Sequence, residues 1–228
     1  MTAAIQTEGR AETAPTAAQT PVAGTRGEVD RLFAACSIVA AGLLVIAFFL
    51  PLWVMDMSAP QYPQGLQLVA YGTKLTGDLQ EINSLNHYVG VKEIEPDSVA
   101  ELKLFPFALF ALVAVLVVTP FIVRWRYWRA VLAALVFAVP IGMLIDVQWW
   151  LYKYGHDRSE DAIYDISDFT TKVLGGTQVI NFHTDTMVGI GWWIMVAAGV
   201  IIAAGPSLIR FLATSWANTG ATPPAAGL

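Results

Sequence analysis

The sequence predicts an all-α membrane protein: four transmembrane helices with an ordered periplasmic cap built from two long loops. Three observations predict it. Hydrophobic residues make up 56% of the 228 and charged residues only 14%, where a soluble domain carries roughly a quarter charged residues. The apolar residues are gathered into four long runs, which is the pattern of membrane spans. Lys and Arg are also divided unequally between the two ends of those runs.

Residues 1–27 are rich in Ala, Thr, Gln, Gly and Pro, lack apolar periodicity and read as a disordered cytoplasmic tail. Their length before the first apolar run argues against a signal peptide. The first span is expected over 32–54, a stretch without Lys, Arg, Asp or Glu that covers ~30 Å of hydrocarbon at about 1.5 Å per residue. Pro51 and Trp53 mark its far end. The loop over 55–103 opens with turn chemistry, Ala59-Pro-Gln-Tyr-Pro-Gln-Gly65. Alternation over 66–70 gives a weak strand signal. Ser98-Val-Ala-Glu101 has capping-box spacing, so a helix is expected to start near Val99. Spans two and three are expected over 104–123 and 130–151, the latter kinked at Pro140 and Gly142. A second, irregular loop covers 152–186, with a possible strand over 177–182. Span four is expected over 187–212, where Gly189-Ile-Gly191 reads as a packing face rather than a pore. The four-helix domain with its outer loops thus occupies 28–213, and 214–228 reads as a second disordered tail.

Orientation follows from the basic residues. Arg10, Arg26, Arg31, Arg124, Arg126, Arg129 and Arg210 fall on one side, three of them in the short turn between spans two and three. The two long loops hold six Lys and Arg among thirteen of the eighteen acids. The compact Arg cluster places both termini in the cytoplasm and both loops outside, for a multi-pass protein of a bacterial cytoplasmic membrane.

Candidate chemistry concentrates on the outer side. His87, His156 and His183 fall there, with Met55 and Met57 after span one. Imidazole and thioether together suit copper, particularly Cu(I). The alternative reading makes the methionines adaptable packing residues and has the histidines bonded to loop backbone. Asp146 is the one ionisable residue expected inside a span; a charge at that depth faces a partner or a wet cavity. Trp149 and Trp150, three and four residues on, are placed to share its face. The single cysteine, Cys36, rules out an intramolecular disulfide and Cys-pair metal motifs. Walker A, GxGxxG and HExxH patterns are missing, so nucleotide hydrolysis and a zincin site have no support. No catalytic residue is assigned, and the expected partner is membrane lipid rather than nucleic acid.

Five loop motifs carry a family resemblance. They are Ala59-Pro-Gln-Tyr-Pro-Gln-Gly-Leu66, Ile82-Asn-Ser-Leu-Asn-His-Tyr-Val-Gly90, Glu95-Pro-Asp-Ser-Val-Ala-Glu-Leu-Lys103, Tyr152-Lys-Tyr-Gly-His156 and Gly175-Gly-Thr-Gln-Val-Ile-Asn-Phe182. In that order they resemble a family of four-helix membrane proteins encoded beside nitrous oxide reductase and its copper-supply factors. The resemblance implies an accessory role in nitrous oxide respiration: maturation, copper supply or electron supply of the periplasmic reductase. Two other functions stay open on the residues: a small-molecule transporter or membrane enzyme using Asp146, and a structural subunit of a membrane respiratory complex.

Overall fold

In a computed structural model, described over residues 26–88, 90–123, 127–157, 168–179 and 181–219, four helices are long and apolar enough to cross a membrane. They are α1 (Arg26–Phe48), α3 (Ala100–Ile122), α4 (Trp128–His156) and α5 (Ile190–Thr219), with a short α2 (Leu79–Tyr88) between the first two. Their outward-facing side chains include Phe107, Phe121, Ile145 and Phe211, all well exposed. Helices apolar all round need a hydrocarbon solvent.

The all-α expectation is corrected by a five-stranded antiparallel sheet, ordered β3-β2-β1-β5-β4, at one end of the bundle. Its strands are β1 (Trp53–Ala59), β2 (Tyr62–Ala70), β3 (Leu75–Gly77), β4 (Gly175–Val179) and β5 (Phe182–Val188). Span one therefore stops earlier than expected. The residue before a proline is pushed out of the helical region, so α1 ends at Phe48, ahead of Pro51, and Val54 lies in β1. Likewise Met187 belongs to β5, not to span four. The expected strand over 177–182 straddles the β4–β5 turn. The capping box at Ser98 does not form: Val99 caps α3 without a side-chain bond, and the Ser98 hydroxyl donates to the Glu95 carbonyl. At the other end α5 continues to Thr219, beyond residue 213 where the four-helix domain was expected to end. The rest of both tails, Arg124, Arg126 and Arg158 lie outside the described residues.

Inside the bundle, Ala40, Leu44 and Ala47 on α1 are buried with Met195, Ala198 and Ile202 on α5. The small residues let the two backbones approach closely. Packing runs α3 to α1 to α5 to α4, whereas α3 and α4 hardly touch. The Trp192 indole donates to the Pro140 carbonyl at 2.9 Å, tying α5 to α4 at the proline.

Strand pairing fixes which face of the sheet is buried. Met55 stands opposite Leu68 on one side and Thr186 on the other, so these share one face with Trp53 and Met57. That face covers a second core completed by Ile82 and Leu85 of α2 and by Met143, Val147 and Leu151 of α4. The Asn83 amide clips the incoming chain, exchanging two hydrogen bonds with the backbone of Ile94. Lys92 donates to Asp157 at 2.7 Å, which holds that carboxyl below its ordinary value. Both partners are exposed, so the bridge contributes little to stability.

Candidate functional site

The weak contact between α3 and α4 leaves a cavity of about 540 Å³ beneath the sheet. This lies within the range of small-molecule sites, roughly 300–1,000 Å³. Trp53, Met55, Leu68 and Ala70 roof it, Phe105 and Leu109 of α3 form one wall, and Gly142, Met143 and Val147 of α4 form another. Polar lining residues are few: Glu101 in the first turn of α3, Asp146, Trp150 and Tyr154 on α4, and Tyr71 and Trp53 at the sheet, the Trp53 indole already donating to the Val173 carbonyl. Glu101 and Asp146 both line this space. Among the described residues no Lys, Arg or His lines the space. The Glu101 Oε2 and Trp150 Nε1 atoms are shielded from solvent, and neither has a hydrogen-bond partner among the described residues.

Above this space a smaller one of about 100 Å³ is lined by Met57, Asn86, Phe169 and Thr184. Met55, Ile94, Leu151 and Tyr154 line both, and so form the partition between them.

The sequence-predicted residues fall as follows. Asp146 does face a cavity, and Trp150 shares it, whereas Trp149 is exposed elsewhere. Met55 is buried in the roof, and Met57 lies on the same face. His183 points the opposite way. It pairs in register with Ser58, on the outer face of the sheet, and its Nε2 lies 3.0 Å from Asp185. A strand side chain cannot reach round to the other face, so β5 keeps His183 apart from Met55 and Met57. His156 ends α4, stacked on Tyr152 at 3.9 Å with Nδ1 2.9 Å from the Tyr152 carbonyl. His87 is exposed in the last turn of α2. None of the three histidines stands in a loop, as was expected; each belongs to a helix or strand end. Among the described residues no three His, Cys, Asp or Glu are grouped to hold a metal ion.

Glu101 and Gln148 escaped the sequence reading. Glu101 carried a capping signal, but the cap does not form and the residue lines the cavity wall instead. Gln148 is a polar residue at span depth, which by itself signals a partner. Its amide holds the backbone of Thr171 and Val173.

No family model matches the chain, and no curated protein matches it.

Proposed function

We propose that the protein binds a largely apolar, membrane-soluble molecule that enters sideways between α3 and α4 and is held under the sheet. The observation that carries this reading is the cavity itself, apolar on nearly all sides, with its few polar groups gathered near the sheet end. A solute from water would need more polar contacts than this lining offers; an acyl or polyprenyl chain needs none. Gly142 supplies the test. A Cβ there meets nothing within 4 Å, so Gly142→Phe projects a ring into open space. Replacing a mid-helix glycine also favours the helix, by roughly 0.5–1 kcal/mol. Protein excised with its surrounding bilayer by an amphipathic polymer is expected to carry one tightly held apolar molecule per chain. The Gly142→Phe protein, equally stable, is expected to lack it. The same small-molecule complement in both preparations would sink the proposal.

A second reading concerns the water-facing side. All five motifs that carry the family resemblance lie at the sheet end: the β1–β2 hairpin, α2, the start of α3, the end of α4 and the β4–β5 hairpin. This placement favours an accessory role in which that end docks on nitrous oxide reductase or one of its maturation factors. A photo-crosslinking residue at exposed Gln64, introduced in cells respiring nitrous oxide, is expected to capture one of those proteins. Adducts only to abundant, unrelated membrane proteins would defeat the docking reading.

A further inference from the structure

We infer that the molecule held in the large cavity reaches with one end into the smaller space above it, and that this end is a small, uncharged, hydrogen-bonding group. This rests on the binding reading above and adds the place and the chemistry of the ligand's polar end.

The two spaces share Met55, Ile94, Leu151 and Tyr154 as lining, so a wall one side chain thick divides them. Met55 in that wall carries an unbranched thioether, the kind of side chain that re-packs around a guest. The spaces also differ in character. Among the described residues only four polar ones are buried, and two of these, Thr171 and Thr184, line the small space together with Asn86. Hydroxyl and amide groups both donate and accept hydrogen bonds, so this lining suits an end group of either kind. Among the described residues no Asp, Glu, Lys, Arg or His lines it. A phosphate, carboxylate or ammonium end would lose its water there and meet no opposite charge. Size narrows the choice further. The space measures about 100 Å³, less than the roughly 150 Å³ of a cavity that accepts one benzene ring. A sugar or a phosphodiester head group does not fit, whereas a hydroxyl, carbonyl or amide does.

The test uses photoreactive probes built on one C16 chain, with a diazirine at C3 beside the end group or at C15 in the tail. The end groups are a primary amide, a glucoside, a sulfonate and a trimethylammonium. Each probe is applied to full-length protein in phosphatidylcholine nanodiscs, and labelled peptides are mapped by mass spectrometry. Residues of α2 and of segment 168–173 line only the small space, and residues of α3 line only the large one. The C3 amide is therefore expected to label α2 and 168–173, and the C15 amide to label α3. With any of the other three end groups, C3 labelling of α2 and 168–173 should fall at least about tenfold, as a buried unpaired charge or a steric clash implies. Asn86→Leu combined with Thr184→Val keeps the shape of the space but removes its polar groups. This pair should cut C3 amide labelling of α2 and 168–173 about tenfold, as the loss of two neutral hydrogen bonds implies, while the C15 amide still labels α3. Wild-type labelling by the C3 amide confined to α3 and α4 would overturn the inference. So would equal labelling of α2 by the charged or glucosidic probes, or an unchanged pattern in the double variant. Gly142→Phe separates this inference from the reading beneath it. If every probe labels that variant as it labels the wild type, the large cavity is not the binding site and both readings fail. If Gly142→Phe abolishes labelling of α3 by the C15 amide, but the C3 amide never reaches α2 in the wild type, the cavity stands and only the polar-end inference is lost.

Discussion

Replacing Gly189 by Val is expected to leave no folded protein to purify, and Gly189→Ala to cost about 3 kcal/mol, at the upper end of overpacking penalties. The reason lies at the junction where helix, sheet and helix meet. Gly189 donates its N–H to the Leu52 carbonyl and Gly191 donates to the Pro51 carbonyl, both at 2.8 Å, while Leu52 donates onward to Ala70. Three hydrogen bonds thus join the end of α1, the edge of β1 and the start of α5. A Cβ on Gly189 would run into the Pro51 carbonyl oxygen, and one on Gly191 would lie 3.0 Å from that same atom. Neither neighbour can yield. The proline ring fixes φ at Pro51, and its carbonyl is already committed to Gly191. Thermal unfolding in detergent, followed by the loss of monodisperse protein, measures the effect. Gly142→Ala is the matched control, since its added methyl meets open space, and it should unfold no earlier than the wild type. Wild-type stability in Gly189→Ala would show that the two backbones do not approach as described.

The same junction explains what could be read from the sequence. Long apolar runs announced four helices, and their cores lie where hydropathy placed them: Leu44, Leu116, Val136 and Ile202 are each fully buried within a predicted span. The ends were misread because Val54 and Met187 continue the apolar runs without a break in composition. A short apolar strand and the last turn of an apolar helix look alike to a hydropathy window. β1 and β5 are also paired across a separation of well over a hundred residues, and nothing local announces such a partner. The strand signal that was legible, over 66–70, belongs to β2, which pairs with its hairpin neighbour. The α2 segment reads as polar loop because its apolar face is thin: among its described side chains, Ile82 and Leu85 are the buried ones. Asp146 could be flagged from its depth. The cavity it faces could not, because that space exists only through the failure of α3 and α4 to pack, a property of the assembled bundle.

Gln148→Leu is expected to release the segment 171–173 from the bundle and to speed tryptic cleavage at Lys172 about a hundredfold. The Gln148 amide accepts from the Val173 N–H at 2.8 Å and donates to the Thr171 carbonyl at 3.0 Å, so one side chain stands in for a neighbouring strand. The segment is held from other directions too. Val173 accepts from the Trp53 indole at 2.8 Å, and Thr186 donates to the Lys172 carbonyl at 2.8 Å. Leucine has nearly the volume of glutamine but none of its hydrogen bonds. It strands one donor and one acceptor beside an apolar core, each at about 1–3 kcal/mol. A total near 3 kcal/mol corresponds to a factor of about 100 in the open population. Cleavage follows that population when opening is fast relative to cutting. Lys172 is exposed, so its protection reflects backbone order rather than access to the side chain. Gln148→Glu keeps the acceptor for Val173 but sets an ionised oxygen against the Thr171 carbonyl, and its cleavage rate should fall between the two. Mass spectrometry of the released peptides isolates the Lys172 cut from any at other sites. A Gln148→Leu rate within twofold of wild type would mean that Trp53 and Thr186 hold the segment unaided. The amide of Gln148 would then have no structural part in closing the sheet over the cavity.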